Sequence, residues 1–184
     1  MVEVVEAPVT GRSASSGRSE PAKVMPLSEV GSADLDRIPV PIEELNRVLG
    51  GGLVRGSLVL LGGDPGIGKS TLVLQAASEL ASGERRVLYV SGEESAQQIK
   101  LRADRLGVLG EQLLVLSETN LQAVLDAAEQ ADPGLLIIDS IQTVYLDELT
   151  SAAASVSQVR ECPARLMQWA KPRHIPVLIV GHVT

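Results

Sequence analysis

Aromatic residues are almost absent from this chain of 184 residues, which has no phenylalanine, one tryptophan and two tyrosines. Because 45% of the residues are nevertheless hydrophobic, a buried core must be built from leucine, valine, isoleucine and alanine. The length is sufficient for one α/β domain with a sizeable core of this kind. We therefore expect a globular fold whose interior is packed by aliphatic side chains.

Cysteine is equally scarce, since Cys162 is the only one. A single cysteine excludes a disulfide scaffold and a cysteine-rich zinc site within this chain. We interpret Cys162 as a small core or half-buried thiol. No apolar run is long enough to span a bilayer, and the acidic N-terminal segment is unlike a signal peptide. These absences favour a protein of the reducing cytoplasm without a membrane partner.

Positive charge is also in deficit, because 16 Lys and Arg residues stand against 23 Asp and Glu residues and give a formal net charge of −7. This balance argues against a protein whose entire surface binds nucleic acid. A local basic groove on an otherwise acidic protein stays open as an alternative.

Regular sequence patterns begin only near residue 37. The segment 11–19 reads GRSASSGRS, which is small, polar and non-periodic, so it cannot offset the entropy cost of ordering. We predict a disordered linker or tail over residues 1–36 and one compact domain over residues 37–184. A short helix is expected over 41–49, with Leu45, Val48 and Leu49 on one side and three glycines directly after it.

Short apolar runs then alternate with helical patterns. The strand candidates are 57–62, 86–91, 112–116, 134–139 and 176–181, and the helical ones are 72–82, 96–106, 121–130 and about 155–171. Pro163 should kink the last helix or start a new turn. Nearly continuous apolar strands between helices predict an α/β fold, a mostly parallel sheet with helices on both faces. Ligands bind such sheets at the carboxyl ends of the strands.

Residues 63–70 (GDPGIGKS) form a complete phosphate-binding loop of the pattern G-x-x-x-x-G-K-[ST], placed between a predicted strand and a predicted helix. The glycines let the backbone wrap an anion, and backbone N–H groups at the start of the helix point towards it. Lys69 would reach the β and γ oxygens of a triphosphate, and the Ser70 hydroxyl would bind Mg²⁺. The residues expected to bind the nucleotide are Gly63, Asp64, Pro65, Gly66, Ile67, Gly68, Lys69, Ser70 and Thr71.

Carboxylates follow two other predicted strands. Asp139 comes directly after four apolar residues, the pattern of a Walker B strand, and can hold Mg²⁺ together with Ser70. Its simpler interpretation is a turn or helix-capping residue. Glu93 and Glu94 follow the strand 86–91, and a carboxylate there can orient the attacking water in a nucleoside triphosphatase. Glu93 is the preferred catalytic base and Glu94 the alternate or helper, although both would also suit the N-terminus of the next helix.

Three polar residues near these strand ends are candidate sensors of the γ-phosphate. Gln142 lies just past Asp139, and His182 and Thr184 end the fifth predicted strand. A lone histidine is more often a packed or solvated residue, so both interpretations of these positions stay open. The order of the motifs along the chain, with the proposed base between the loop and Asp139, is typical of P-loop ATPases that activate water with a glutamate.

Six segments together resemble the RadA (Sms) family of bacterial DNA-repair proteins. They are 49–57 (LGGGLVRGS), 62–72 (GGDPGIGKSTL), 89–95 (YVSGEES), 138–143 (IDSIQT), 155–162 (SVSQVREC) and 180–184 (VGHVT). The resemblance runs from about residue 37 to the end of the chain. It implies a RecA-like core, ATP hydrolysis, binding of single-stranded DNA, and processing of branched recombination intermediates. It also implies a homo-hexameric ring and other recombination proteins as partners.

The chain also differs from the family pattern. It lacks the four-cysteine zinc finger with which the family usually begins, and it ends before the KNRFG motif and the Lon-protease-like domain that follow the GHVT strand. We therefore expect a fragment of the ATPase core, or a degraded copy, whose sheet is truncated after the fifth core strand. Two alternatives stay open. One is a KaiC-like regulatory ATPase or phosphotransferase, and the other is a truncated remnant that binds nucleotide without turnover.

Overall fold

The computed structural model describes residues 24, 26–29, 37–108, 110–149 and 153–182. The chain divides into two units, Met1–Ser32 and Ala33–Thr184. In the first unit the described residues include a single 3₁₀ turn, Leu27–Glu29. The predicted tail, 1–36, falls almost entirely outside the described residues, so its boundary and its disorder stay predictions.

A small antiparallel sheet precedes the main one in the second unit. Its strands are β1 (Arg37–Ile38) and β2 (Leu53–Val54), and the helix α1 (Glu43–Val48) lies between them in the chain. Gly52, with φ 134°, lets the backbone pass so close to β1 that a Cβ would collide with the Ile38 carbonyl group. The predicted short helix is confirmed, but the prediction that Val48 lies on the same apolar side as Leu45 and Leu49 is wrong. That side chain is 77% exposed, because Leu45 and Leu49 are the ones that pack against the core.

The main sheet has five parallel strands. They are β3 (Leu58–Gly63), β4 (Val87–Ser91), β5 (Leu113–Ser117), β6 (Leu135–Asp139) and β7 (Val177–His182). Their spatial order is β5-β4-β6-β7-β3, and every neighbouring pair is parallel. Each strand agrees with its predicted range to within one residue at either end. The sequence therefore predicts the strands well, although it does not give their order.

Helices cover both faces of this sheet. α2 (Lys69–Leu80) and α3 (Ala96–Arg105) pack on one face, and α4 (Leu121–Ala131) and α5 (Val156–Arg173) pack on the other. Along β4, Val87 and Tyr89 belong to the first core, whereas Leu88 and Val90 belong to the second. Because both faces of β4, β6 and β7 are buried, these strands read as continuous apolar runs in the sequence, whereas the edge strands β3 and β5 are partly exposed. None of the helices in the described ranges is long and apolar enough to cross a membrane.

The starts of the helices are fixed by local side-chain caps. Ser95 accepts a hydrogen bond from the N–H of Gln98, whose side chain accepts one from the N–H of Ser95, and this capping box begins α3. Asn120 accepts from two N–H groups at the start of α4. α2 begins at Lys69, three residues before its predicted start at 72, because the phosphate loop runs directly into the first helical turn.

The last helix is continuous through Pro163. α5 runs for 18 residues with Pro163 inside it, so of the two predicted outcomes, a kink or a new turn, the new turn is wrong. A proline in a helix interior removes one hydrogen bond and costs about 3 kcal/mol. Residues buried on both sides of the proline hold α5 against the sheet, namely Gln158, Cys162, Leu166, Trp169 and Ala170. Burial of this face offsets the missing hydrogen bond.

Trp169 lies near the end of α5. The Arg173 guanidinium is 5.2 Å from the centre of the indole ring and also pairs with Glu129 of α4. α5 ends at Arg173 and β7 starts at Val177, so this cluster lies at the amino end of β7. The carboxyl ends of the parallel strands are at the opposite edge of the sheet.

We expect Cys162 to be unreactive while the chain is folded. Its side chain is fully buried in α5, and burial, with a smaller contribution from Glu161, raises the pKa of the thiol from 9.0 to about 11. Because the thiolate is the reactive form, labelling by an aromatic disulfide at pH 8 should be at least about 100-fold slower in native buffer than in denaturant. Comparable rates in the two solutions would contradict this placement of Cys162.

Candidate functional site

The carboxyl edge of the sheet brings most of the predicted site residues together. The phosphate loop follows β3, Glu93 and Glu94 follow β4, Asp139 ends β6 and His182 ends β7. In the strand register Gly63 lies beside His182, and Ser91 lies beside Asp139. Residues from four strands therefore meet at one edge, which is where parallel sheets bind ligands.

The phosphate loop forms an open cradle. Gly66 (φ 78°) and Gly68 (φ 98°) adopt left-handed backbone conformations, and a Cβ at either would meet no heavy atom within 4 Å. Backbone geometry, rather than crowding, therefore requires glycine at both positions. Gly68 directly precedes the first turn of α2, whose N–H groups and dipole favour an anion at this point.

Lys69 is the cation of this cradle. It is only 7% exposed, and its ammonium donates hydrogen bonds to the carbonyl oxygens of Gly63 (2.8 Å) and Asp64 (2.7 Å). Its Nζ atom also lies 3.3 Å from Nδ1 of His182. None of the ion pairs found between described residues neutralises it. A buried cation without a carboxylate partner fits an anionic ligand such as a phosphate group.

Ser70 and Asp139 form the second half of the site. Ser70 Oγ donates to Oδ1 of Asp139 over 3.0 Å, and Asp139 is 6% exposed. In nucleotide sites Mg²⁺ takes few protein oxygens and fills its remaining positions with waters and phosphate oxygens, so this hydroxyl and carboxylate fit the ion. Within the described ranges no three His, Cys, Asp or Glu side chains converge into a complete metal site. These residues could therefore hold Mg²⁺ only jointly with other ligands.

The two adjacent glutamates have different surroundings. Glu93 is exposed, and its Oε1 accepts a hydrogen bond over 3.0 Å from Oγ of Ser140, the residue after Asp139. Glu94 is half-buried and forms an ion pair with Arg102, in which Oε2 and Nη2 are 2.8 Å apart. Glu93 is thus tied to the turn after β6, whereas Glu94 is tied to α3.

Two of the three predicted sensors lie beside the cradle. Gln142 Nε2 donates to the carbonyl oxygen of His182 over 3.3 Å, and the His182 ring contacts Lys69. Gln142 Oε1 is buried without a hydrogen-bond partner among the described residues. A cleft of about 790 Å³ opens next to them, and Arg160 lies on its wall. The third candidate, Thr184, lies outside the described residues.

Comparison with known protein families shows what kind of domain this is. Residues 21–184, which are most of the chain, match the family model described as an AAA domain. The chain belongs to the AAA domain family. This match and the five-stranded parallel sheet confirm the predicted fold class, because this AAA domain has a RecA-like P-loop core with helices on both faces of the sheet.

The relatives of this AAA domain include several bacterial proteins of one name. The DNA repair protein RadA of Listeria monocytogenes is 54% identical over 184 residues, which are 100% of this chain and 40% of the relative. RadA of Halalkalibacterium halodurans is 58% identical over 163 residues (89% of this chain, 36% of the relative). RadA of Bacillus subtilis is 51% identical over 187 residues (100% of this chain, 41% of the relative). The chain thus spans about two fifths of the length of these relatives, and the predicted resemblance to the RadA family is confirmed.

Two further residues of this AAA domain join the site. Tyr89 of β4 is 0% exposed and donates its hydroxyl proton to Oδ2 of Asp139, and Arg102 Nη2 donates to the Tyr89 oxygen over 3.0 Å. Burial, and then the neighbouring Asp139 carboxylate, raise the pKa of Tyr89, so the hydroxyl keeps its proton. Sequence reasoning missed both residues. The one available signal was a polar aromatic residue inside an otherwise aliphatic strand.

Glu118, at the end of β5, is another carboxylate that the sequence does not single out. Backbone N–H groups of Asn120 (2.9 Å) and Thr119 (2.7 Å) donate to its Oε1 and lower the pKa of its carboxyl group. Glu118 shares a pocket of about 290 Å³ with Glu93 and Glu94. Because both N–H groups donate to the same carboxylate oxygen, Glu118 fixes the turn that leads into α4.

Proposed function

We propose that this chain binds ATP together with Mg²⁺ and hydrolyses it. The observation that carries the proposal is the 3.0 Å hydrogen bond between Ser70 and Asp139, which lies beside the buried Lys69. It joins the start of α2 to the end of β6, two segments that are 69 residues apart in the chain. A glycine-rich turn that matched the loop pattern by chance would have no reason to face such a carboxylate. Membership of the AAA domain family supports the same function.

The cradle and the Ser70–Asp139 pair have separate tasks in this proposal. The loop 63–71 binds the phosphates through its backbone N–H groups and through Lys69. Ser70 and Asp139 are the residues that would hold Mg²⁺, which supplies neutralisation of phosphate charge when it is bound. This division matches the two surroundings, a buried cation at the loop and a buried carboxylate beside it.

Glu93 is the catalytic base in this proposal. It orients the attacking water and receives a proton from it on a carboxylate oxygen. Its exposed carboxylate lies next to the turn after Asp139, through the hydrogen bond from Ser140, and this supports the choice. Glu94 is the helper, because its carboxylate is already engaged by Arg102.

His182 and Gln142 are proposed as sensors of the γ-phosphate. The His182 ring contacts Lys69, and Gln142 donates a hydrogen bond to the backbone of His182. A shift of the Lys69 ammonium would therefore change the contacts of both residues. Thr184 stays a prediction from the sequence.

We further infer that ATP hydrolysis serves DNA repair, and the name of the relatives, DNA repair protein RadA, supports this. The proposed partners are single-stranded or branched DNA, other recombination proteins, and further copies of the chain in a homo-hexamer, in the cytoplasm. Arg160 is exposed on the wall of the 790 Å³ cleft and offers a cation to a phosphate backbone. Because the net charge is −7, any DNA contact must be local and sensitive to salt.

Release of phosphate from ATP tests this function. The purified chain with ATP and Mg²⁺ should release free phosphate, more quickly when single-stranded DNA is added and less so as the salt concentration rises. Chelation of Mg²⁺ should stop the release. Transfer of labelled γ-phosphate to a protein hydroxyl would support a KaiC-like phosphotransferase instead, and ATP binding without turnover would support a remnant. If calorimetry detects no binding of ATP, the proposal is wrong.

A further inference from the structure

The side chains of Arg102, Tyr89 and Asp139 form a hydrogen-bonded series. Arg102 Nη2 donates to the hydroxyl oxygen of Tyr89 over 3.0 Å, and the Tyr89 hydroxyl donates to Oδ2 of Asp139. The same Nη2 atom pairs with Glu94 over 2.8 Å. The series therefore joins α3, β4 and β6 within the buried interior, and it ends at a residue of the proposed site.

The direction of these hydrogen bonds is fixed by the chemistry of the groups. A guanidinium can only donate, so the Tyr89 oxygen must accept from Arg102. A phenol has one hydroxyl proton, and that proton is left for Asp139. The two oxygens of Asp139 are therefore unequal, because Oδ2 is held by Tyr89 and Oδ1 is held by Ser70.

We propose that Tyr89, supported by Arg102, is a positioning residue that fixes the Asp139 carboxylate so that Oδ1, the oxygen beside Ser70, is the one available to a metal ion. This inference rests on the proposed function, since it assigns the metal to Asp139. Residues that orient a metal ligand from behind typically change metal affinity by about 10- to 100-fold when they are replaced.

Packing alone does not explain a tyrosine at this position. Val87 and Ile137, which share its face of the sheet, are purely apolar, and Tyr89 is fully buried among such residues. Phenylalanine would fill nearly the same volume without the cost of burying a hydroxyl group. The Tyr89 hydroxyl donates its only proton to Asp139, and its effect on that carboxylate explains why a tyrosine lies here.

The test is the Mg²⁺ dependence of ATP binding by the full chain carrying Tyr89→Phe. Calorimetry would give the ATP affinity in EDTA and then at increasing Mg²⁺ concentration. We expect the Mg²⁺ concentration for half-maximal enhancement to rise about 10- to 100-fold, while the affinity in EDTA stays the same. A residue that only filled space would leave both quantities unchanged, or would change both together through loss of folded protein.

Two further variants control the result. Tyr145→Phe removes the other tyrosine hydroxyl in the chain and should leave the Mg²⁺ titration as in the unmodified chain. Arg102→Gln removes the charged donor behind Tyr89 and should shift the titration in the same direction by a smaller factor. Thermal melting checks that each variant is folded, and if Tyr89→Phe does not melt cooperatively, the Arg102→Gln titration decides.

The outcomes separate this inference from the function on which it rests. A folded Tyr89→Phe protein whose Mg²⁺ titration matches that of the unmodified chain overturns the positioning role, while ATP binding and hydrolysis stand. If the unmodified chain binds ATP with no response to Mg²⁺, the proposed function fails first, and this inference fails with it.

Discussion

Replacing Glu93 with glutamine should reduce ATP turnover by about 10²- to 10⁴-fold, the usual contribution of a general base. The amide keeps the size of the side chain and can still accept the hydrogen bond from Ser140, but it cannot take a proton from water. The affinity for ATP and Mg²⁺ should stay close to that of the unmodified chain, because the phosphate loop is unchanged. Single-turnover phosphate release measures the first effect, and calorimetry measures the second.

Two other glutamates make this result specific. Glu84→Gln changes an exposed side chain between α2 and β4, at the opposite end of the sheet, and should leave turnover unchanged. Glu94→Gln removes the negative charge that pairs with Arg102 and should lower turnover less than Glu93→Gln does. If Glu94→Gln is the more damaging change, the two roles are reversed. If neither change lowers turnover, water activation belongs to another group.

Replacing Lys69 with alanine should weaken ATP binding by about 100-fold. A hydrogen bond to a charged group contributes up to about 3 kcal/mol, and about 1.4 kcal/mol corresponds to a factor of ten in affinity. The ammonium already donates to the carbonyl oxygens of Gly63 and Asp64, so it is held at the loop before any ligand arrives. Calorimetric titration with ATP and Mg²⁺ measures the loss.

The matched control is Lys100→Ala, which removes an exposed lysine that pairs with Asp104 on α3. A surface pair of this kind contributes at most about 1 kcal/mol to stability, and its loss should leave ATP affinity unchanged. Melting curves of Lys69→Ala separate a lost ligand contact from a lost fold, since the loop also loses two hydrogen bonds. Full ATP affinity in a folded Lys69→Ala protein is incompatible with the role assigned to the loop.

The elements of the fold could be predicted because their signals are local. Each strand of the main sheet is a short apolar run, and β4, β6 and β7 are buried on both faces. α3 and α4 begin at polar caps that are adjacent in sequence to the helices. The predictions are wrong where tertiary contacts, rather than the local sequence, determine the structure. The side of α1 that turns inwards depends on what packs against it, so Val48 was misplaced. Pro163 did not break α5, because burial on both sides of it outweighs the local preference.

The site shows the same division between local and distant signals. The phosphate loop is one continuous motif that the sequence shows in full, and Asp139 is predicted from the apolar strand before it. Tyr89 and Arg102 carry no motif, because their partners lie on other elements and the hydroxyl of Tyr89 meets a carboxylate 50 residues away. Glu93 and Glu94 are neighbours of one type, so only the contacts with Ser140 and Arg102 distinguish them.

The position of the single indole has a practical consequence. Trp169 lies with Arg173 at the amino end of β7, far from the cradle at the carboxyl edge, and its ring is almost completely buried between α5 and the sheet. We therefore expect its fluorescence emission to change when α5 separates from the sheet and not to change when a nucleotide binds. Unfolding curves recorded from that emission, with and without ATP, share one baseline, so the stabilisation conferred by the ligand is read directly as a shift of the transition midpoint.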